Sequence, residues 1–297
     1  MKIKSALLLA ISLLGSIAYS QTPTPTYLLD FGRVVGKNGS VNADGSYRIN
    51  IPRTDVKFIS SSGMPIPPDL GLTTYIALSG TEENSLAVGD IALLQTEIDP
   101  VIDRLRAGGI QVVALHNHMT TEEPRLFYMH FQATGKANHI ANAFRSALDV
   151  LGSTKPSVAP AKATKPTLDT NALAAIFGAV PQKFPSGVLR FSQPRKDVHV
   201  TVEELPFTPA MGLASWAAFA ACECGQTMVM GDTCCLPADL QDAIDAYRKA
   251  GIHIAAIHNH TLNASHQVIF MHYEAEGDSI AIAHGIKACW EELERKR

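Results

Sequence analysis

Histidine side chains carry the clearest chemical signal in this sequence, because two similar segments keep the same three. The segments are ALHNHMTTEEPRLFYMHFQATG (114–135) and AIHNHTLNASHQVIFMHYEAEG (256–277). The histidines are His116, His118 and His130 in the first segment and His258, His260 and His272 in the second. Each lies 142 residues after its counterpart, as 258 lies after 116. Imidazole is the commonest protein metal ligand and the usual acid–base group near neutral pH, so chemistry is expected at these positions.

The spacing of these histidines favours a metal site built on a β-hairpin. Residues two apart in a strand share a face, so His116 and His118 point the same way. If the chain returns in an even register, with 119 opposite 125, His130 joins that face, whereas a slip of one residue sends it to the other. Three imidazoles with an open position are typical of catalytic zinc, and imidazole also suits copper. The sequence therefore predicts a divalent metal, zinc or copper, in each segment.

The loop of the first segment adds two carboxylates that the second lacks. Glu122 and Glu123 could supply a fourth ligand or a general base, which would make a metal-dependent hydrolase. Ala264 and Ser265 stand at the equivalent positions, and His266 follows them. We therefore expect a histidine–carboxylate site in the first segment and an all-histidine site in the second.

Two interpretations without metal chemistry compete with this one. An H-x-H pair can line a polar cleft through hydrogen bonds alone, which would suit a module that binds a small molecule or a cell-envelope ligand such as a glycan or an anion. The twin segments could also form a scaffold in which two similar domains pack on each other or on a partner.

A second repeated polar phrase is Pro-Arg-x-Asp-Val. Arg53 and Asp55 recur as Arg195 and Asp197. Residues two apart on a strand share a face, so each pair could form an ion pair or bind an anionic ligand. Asp55 could also orient a ligating imidazole. A structural salt bridge is the favoured interpretation, because ion pairs that serve only structure are common.

The repeat extends over most of the chain and predicts an α+β fold. Short strands with alternating patterns precede an amphipathic helix, the histidine hairpin and a closing helix in both copies. We expect two tandem similar domains, 22–150 and 167–297, each a largely antiparallel sheet with packed helices. The segment 151–166, rich in Pro, Ala, Ser and Lys, is typical of a linker. Asp90 and Asp232, each preceded by glycine, are interpreted as turn residues.

The first twenty residues are typical of a secretory signal peptide. Lys2 and Lys4 precede an apolar run, and Ala18-Tyr19-Ser20 resembles a cleavage site before Gln21. The run is too short to span a membrane, no other segment is long enough, and no cysteine for a lipid anchor follows the cleavage site. We therefore expect a protein exported to the periplasm or secreted.

The charge of the chain bears on nucleic-acid binding, and its cysteines bear on disulfide formation. The formal net charge is −3, and no cluster of Lys and Arg of the kind that binds nucleic acid occurs. An exported protein can form disulfides, and the odd number of cysteines prevents all of them from pairing within one chain. The pairing stays open among five cysteines, all in the second half: Cys222, Cys224, Cys234, Cys235 and Cys289.

The phrases ALHNHM, EEPRLFYMHF, MGLASWAAF and MVMGD, with PRTDV and PRKDV upstream, resemble the LppY/LpqO-type family of exported bacterial proteins. The resemblance covers nearly all of the chain after residue 20. It implies duplicated domains and export, often as lipoproteins, although this chain lacks the lipid-attachment cysteine. It implies no particular activity. The second copy departs from the family's acidic loop at Ala264-Ser265-His266, which implies that the two sites differ.

Overall fold

A computed structural model of the protein describes residues 23–152, 168–222 and 225–295. The predicted signal peptide, most of the predicted linker and Cys224 lie outside the described residues.

Each repeat folds as a set of short strands and three helices in the same order. The first repeat comprises α1 (Thr26–Val35), β1 (Ser40–Val41), β2 (Tyr47–Pro52), β3 (Phe58–Ile59), β4 (Pro65–Ile66), β5 (Thr73–Gly80), β6 (Ser85–Leu94), α2 (Ile98–Ala107), β7 (Gln111–His116), β8 (Leu126–Gly135) and α3 (Ala137–Leu148). The second comprises α4 (Thr170–Phe177), β9 (Gln182–Lys183), β10 (Leu189–Pro194), β11 (Val200–Val202), β12 (Leu205–Phe207), β13 (Ala214–Ala221), β14 (Thr227–Cys235), α5 (Leu240–Lys249), β15 (His253–His258), β16 (Ile269–Gly277) and α6 (Ser279–Arg295).

The two repeats form equivalent six-stranded sheets. The strand order is β1-β2-β5-β6-β8-β7 in the first repeat and β9-β10-β13-β14-β16-β15 in the second. Neighbouring strands in both sheets pair in antiparallel fashion. The predicted α+β class, the antiparallel sheets and the duplication are therefore confirmed.

Strand β8 shows how each sheet is covered on both faces. Its odd-numbered residues, such as Met129 and Phe131, pack in a core with helices α1, α2 and α3. Its even-numbered residue Tyr128 lies in another cluster, together with Met230 of the second repeat. Because successive side chains of a strand point to opposite faces, one face of the sheet meets the helices and the other meets the second repeat.

The sheets of the two repeats therefore pack face to face, with helices outside both. Val88 of β6 and Phe270 of β16 belong to one apolar cluster that spans the repeats. Strand β6 is buried almost from end to end, which fits a strand covered on both faces. The expectation that the twin domains pack on each other is met within this chain. No helix among the described residues is long and apolar enough to cross a membrane.

The adjacent cysteines of β14 point into different cores. Cys235 packs in the helix-side core of the second repeat, and Cys234 packs between the two sheets. Cys222 is disulfide-bonded, and Cys289 is a buried thiol on α6. Successive side chains of a strand point to opposite faces, so the Cys234 and Cys235 thiols lie on different faces of the sheet.

Candidate functional site: a histidine cluster shared by both repeats

The histidine hairpin of each repeat adopts the even register. In the first repeat, His116 lies opposite Tyr128 and Ala114 lies opposite His130. The three rings share one face, with centroids 5.2 Å apart for His116 and His118 and 4.8 Å apart for His116 and His130. The second repeat repeats this arrangement, with 5.1 Å between the ring centroids of His258 and His260 and 4.9 Å between those of His258 and His272.

The two histidine trios meet in a single cluster, whereas the sequence predicted one site in each repeat. The ring centroids of His116 and His258 are 4.0 Å apart, and those of His118 and His272 are 3.9 Å apart. His130 and His260 also approach to 4.1 Å. The reason is that the hairpin face bearing the imidazoles is the face that packs on the other sheet. We call these six residues the six-histidine cluster.

Aromatic rings hold the second histidine of each H-x-H pair. His118 stacks on Tyr128, and His260 stacks on Phe270, with 3.3 Å between the ring centroids in both cases. The stacking partner comes from the paired strand, β8 or β16. Each imidazole therefore has little freedom to rotate away from the cluster.

Asp90 and Asp232 complete the cluster, and their interpretation as turn residues was wrong. They lie in the middle of β6 and β14, opposite His130 and His272, with exposed fractions of 2% and 1%. A carboxylate oxygen of Asp90 lies 3.2 Å from His118 Nε2, and one of Asp232 lies 3.4 Å from His260 Nε2. Gly-Asp recurs 142 residues later, at the same offset as the histidines, and this recurrence was the sequence signal that could have identified Asp90 and Asp232.

Backbone carbonyls fix which nitrogen of two histidines faces the cluster. His130 Nδ1 lies 3.1 Å from the Gly89 carbonyl oxygen, and His272 Nδ1 lies 3.1 Å from that of Gly231. A carbonyl can only accept, so Nδ1 carries the proton and Nε2 of a neutral ring keeps its lone pair. Metal-bound histidines commonly donate their other ring N–H to such an acceptor. His130 Nε2 points to His258 Nε2, at 3.2 Å.

Burial keeps the cluster in a neutral form. It lowers the pKa of all six imidazoles, and repulsion from neighbouring imidazoles adds to this at His116 and His258. Burial also raises the pKa of Asp90 to about 6, and burial followed by repulsion from Asp90 raises that of Asp232. Near neutral pH each imidazole is therefore neutral and has one nitrogen with a lone pair that can bind a cation.

Several polar atoms of the cluster are buried without a hydrogen-bond partner. They are both ring nitrogens of His116, His118 and His260, Nδ1 of His258, Nε2 of His272, and one carboxylate oxygen each of Asp90 and Asp232. An unsatisfied buried polar group costs about 1–3 kcal/mol. A cation bound among these lone pairs would remove that cost.

Three groups of side chains converge closely enough to share a metal ion. In each group the ligand atoms lie within 4.8 Å of one another. The groups are His116, His258 and His272; His130, His258 and His260; and Asp90, His116 and His130. Two of the three combine residues of both repeats.

The acidic loop does not bring its carboxylates to the imidazoles, contrary to expectation. Glu122 is 1% exposed and accepts a hydrogen bond from the Leu126 backbone N–H at 2.9 Å. Glu123 is exposed, and its backbone pairs with Ile59. Neither belongs to a group that could share a metal within the described chain. Glu122 instead stabilises its own loop, because its side chain accepts a hydrogen bond from the backbone N–H of the first residue of β8.

Arg53 and Arg195 each pair with the aspartate two residues later, as the structural interpretation predicts. Arg53 is 4% exposed, and its five N–H donors go to Asp55, to Glu97 and to the Ala92 carbonyl. Arg195 pairs with Asp197 and donates to the Cys234 carbonyl. Arg53 thus has no donor left for an anion, and Asp55 orients an arginine rather than an imidazole.

The loops that follow the H-x-H pairs reach across to the opposite repeat. The Thr120 backbone N–H donates to the Glu274 carboxylate at 3.0 Å, and the Leu262 N–H donates to the Gln132 side-chain oxygen at 2.7 Å. The two donors, Thr120 and Leu262, occupy equivalent positions in the two repeats, and so do the two acceptors. Within the first loop, the Asn117 amide donates to the Leu126 carbonyl at 2.8 Å. Each loop therefore fastens the cluster to both sheets.

The chain contains two copies of a domain family of unknown function. It is a member of the family described as Domain of Unknown Function (DUF1259), whose model matches residues 30–150 and again residues 171–292. The two matches coincide with the two repeats, so one family model describes both halves of this chain.

Two of the similar solved structures are microcompartment shell proteins. The trimeric shell protein PduB is 12% identical over 85% of this chain and 88% of its own, with a TM-score of 0.19. EtuB from Clostridium kluyveri is 12% identical over 86% and 90%, with a TM-score of 0.23. The double-ringed trimeric shell protein MSM0271 is 14% identical over 71% and 82%, with a TM-score of 0.18. Similarity this low supports no inference about this chain. A search of curated proteins finds no match.

Proposed function

We propose that this protein binds a transition-metal ion, zinc or copper, in the six-histidine cluster. The observation that carries the proposal is a set of buried imidazole nitrogens that face one another without hydrogen-bond partners. A polar cleft held by hydrogen bonds would pair these atoms with donors and acceptors. Neutral imidazole nitrogens are ligands that zinc and copper prefer, so bound metal would account for one unpaired nitrogen of each ring.

The arrangement around the ligands also supports a metal. The Gly89 and Gly231 carbonyls accept hydrogen bonds from His130 and His272. Metal-bound histidines are commonly oriented by an acceptor of this kind on their other ring nitrogen. Asp90 and Asp232 supply buried carboxylates that would compensate the charge of a cation. His258 is the partly exposed member of the cluster, so the cluster reaches solvent at that side chain.

The geometry favours metal binding over hydrolysis and over anion binding. Hydrolysis through Glu122 or Glu123 would require a carboxylate beside the bound ion, whereas Glu122 accepts the Leu126 N–H and Glu123 is exposed. Anion binding through Arg53 would require free donors, and all five are used.

Metal analysis of untagged protein tests the proposal. We expect purified chain, titrated with zinc or copper, to retain the ion after dialysis and to unfold at a higher temperature, because a ligand of the native state stabilises it. The double variant His116→Ala/His258→Ala should lose the ion. His284→Ala serves as the matched control, because His284 is exposed on α6. A wild-type chain that retains neither metal and shows no change in Tm would contradict the proposal.

We also propose that the protein is exported to the periplasm or secreted. The support is the basic start, apolar run and Ala18-Tyr19-Ser20 segment of the sequence. Mass spectrometry of protein from the native cell envelope or medium should find Gln21 at the N-terminus. A chain that retains Met1 and stays in the cytoplasm would contradict export.

A further inference from the structure

We propose that the six-histidine cluster holds two metal ions, one in each of two triads, an inference that rests on the proposed metal binding. Triad one contains His130, His258 and His260, whose ligand atoms lie within 4.8 Å of one another. Triad two contains their counterparts in the duplication, His272, His116 and His118. The triads share no residue, and together they use every histidine of the cluster.

The two triads have the same shape. In triad one, the ring centroids lie 5.0, 4.1 and 5.1 Å apart for His130–His258, His130–His260 and His258–His260. In triad two, the equivalent distances are 5.2, 3.9 and 5.2 Å for His272–His116, His272–His118 and His116–His118. The ring spacing of a set of side chains that can hold an ion is therefore repeated on the other side of the cluster.

Each triad also has a carboxylate beside its H-x-H pair. Asp232 lies 3.4 Å from His260 in triad one, and Asp90 lies 3.2 Å from His118 in triad two. Three imidazoles and one carboxylate are enough to surround a tetrahedral ion or to leave it one open position. One ion in triad one would leave the nitrogens of His116 and His118 and Nε2 of His272 still without partners, whereas a second ion would bind one nitrogen of each ring.

Neither repeat contains a complete triad. Each triad takes an H-x-H pair from one repeat and its third histidine from β8 or β16 of the other. The ions would therefore bind across the contact between the sheets and join the repeats. This explains why two copies that differ at most positions keep all six histidines within one chain.

Metal stoichiometry of the full chain tests the two-ion arrangement. We expect two copper or zinc ions per wild-type chain at saturation, one in His118→Ala, one in His260→Ala, and none in the double variant. His284→Ala should keep two. With Cu²⁺, electron paramagnetic resonance should show a half-field signal from two coupled ions in the wild type and an isolated ion in each single variant.

Other results would overturn the arrangement. Saturation of the wild type at one ion, or loss of all metal in each single variant, would mean that one ion uses the whole cluster. If a variant fails to fold, the wild-type stoichiometry and half-field signal decide the question without it. No metal in the wild type would contradict metal binding itself, which is a different outcome from one ion per chain.

Discussion

At the scale of residues, the cluster is defined by how little its polar atoms interact with the rest of the protein. His130 and His272 have an Nδ1 held by a backbone carbonyl, and that bond turns Nε2 inward. The remaining imidazoles are positioned by aromatic stacking and by one another. Burial favours the neutral form of each, so the chemistry of the site is that of lone pairs in a water-poor space.

The pKa directions predict how metal-free protein responds to acid. Between the lowered folded-state pKa of a buried histidine and its ordinary value, the unfolded chain binds more protons, so the free energy of unfolding falls as pH falls through that window. Six histidines act this way. Asp90, with a pKa raised to about 6, and Asp232 act oppositely as pH rises. The histidines outnumber them, so the urea midpoint should be lower at about pH 5 than at about pH 7.5. An equal or higher midpoint at the acidic pH would contradict the buried neutral state.

Arg53 should matter for stability and not for metal binding. Arg53→Ala leaves the buried Glu97 carboxylate without its cation, and removal of one partner of a buried ion pair costs about 3–5 kcal/mol. The control is Arg33→Ala, because Arg33 and its partner Asp30 are exposed, and such pairs contribute about 0–1 kcal/mol. Urea unfolding measures both. Folded Arg53→Ala protein that has lost its metal would show that Arg53 belongs to the site.

At the scale of elements, the histidine hairpin acts as a unit with the loop that follows it. The register places the imidazoles on the inner face, and the loop then crosses to the opposite sheet. The contacts are reciprocal, since Glu274 accepts a hydrogen bond from the first loop and Gln132 accepts one from the second. Each element thus positions ligands in its own repeat and fastens them to the other.

Removing one loop contact should loosen the first hairpin loop. In Glu274→Ala, the Thr120 N–H and hydroxyl lose their acceptor, which should cost about 1–3 kcal/mol and speed hydrogen exchange at the Thr120 amide. Glu274→Gln keeps an acceptor oxygen and should restore most of the protection. Unchanged exchange in Glu274→Ala would show that the loop is held by other contacts.

The sequence could predict much of the histidine hairpin but less of the strands beside it. Period-two spacing was enough to place His116 and His118 on one face, whereas His130 joined that face only in one of two possible registers, and the structure has that register. Asp90 was missed because Gly-Asp resembles a turn locally, and the apolar run of β6 has no alternation that would assign Asp90 to a face of the sheet. Its continuous apolar run was the available sign that both faces of the sheet are covered.

At the scale of the whole molecule, duplication has produced one site rather than two. The repeats pack sheet against sheet, and the histidines lie at the centre of that contact. This could not be derived from the sequence, because periodicity identifies a face but not what covers it. The contact between His116 and His258 joins residues far apart in the chain, and no local pattern encodes such a pair.

A metal bound between the sheets should therefore protect both repeats together. Adding zinc to metal-free protein should slow hydrogen exchange in β8 and β16 alike, because the bound ion stabilises only the conformation in which the sheets are joined. Helix α1, which packs on the outer face of the first sheet, serves as the internal reference. Protection confined to one repeat would contradict a shared site.

The central claim is that imidazoles of both repeats bind metal together, and anomalous X-ray diffraction tests it most directly. Crystals of untagged protein grown with zinc or copper should show anomalous density at the absorption edge of that metal, within bonding distance of histidines from both repeats, such as His130 and His258. A fully loaded crystal whose anomalous density lies outside the six-histidine cluster, or that shows none, would contradict the account.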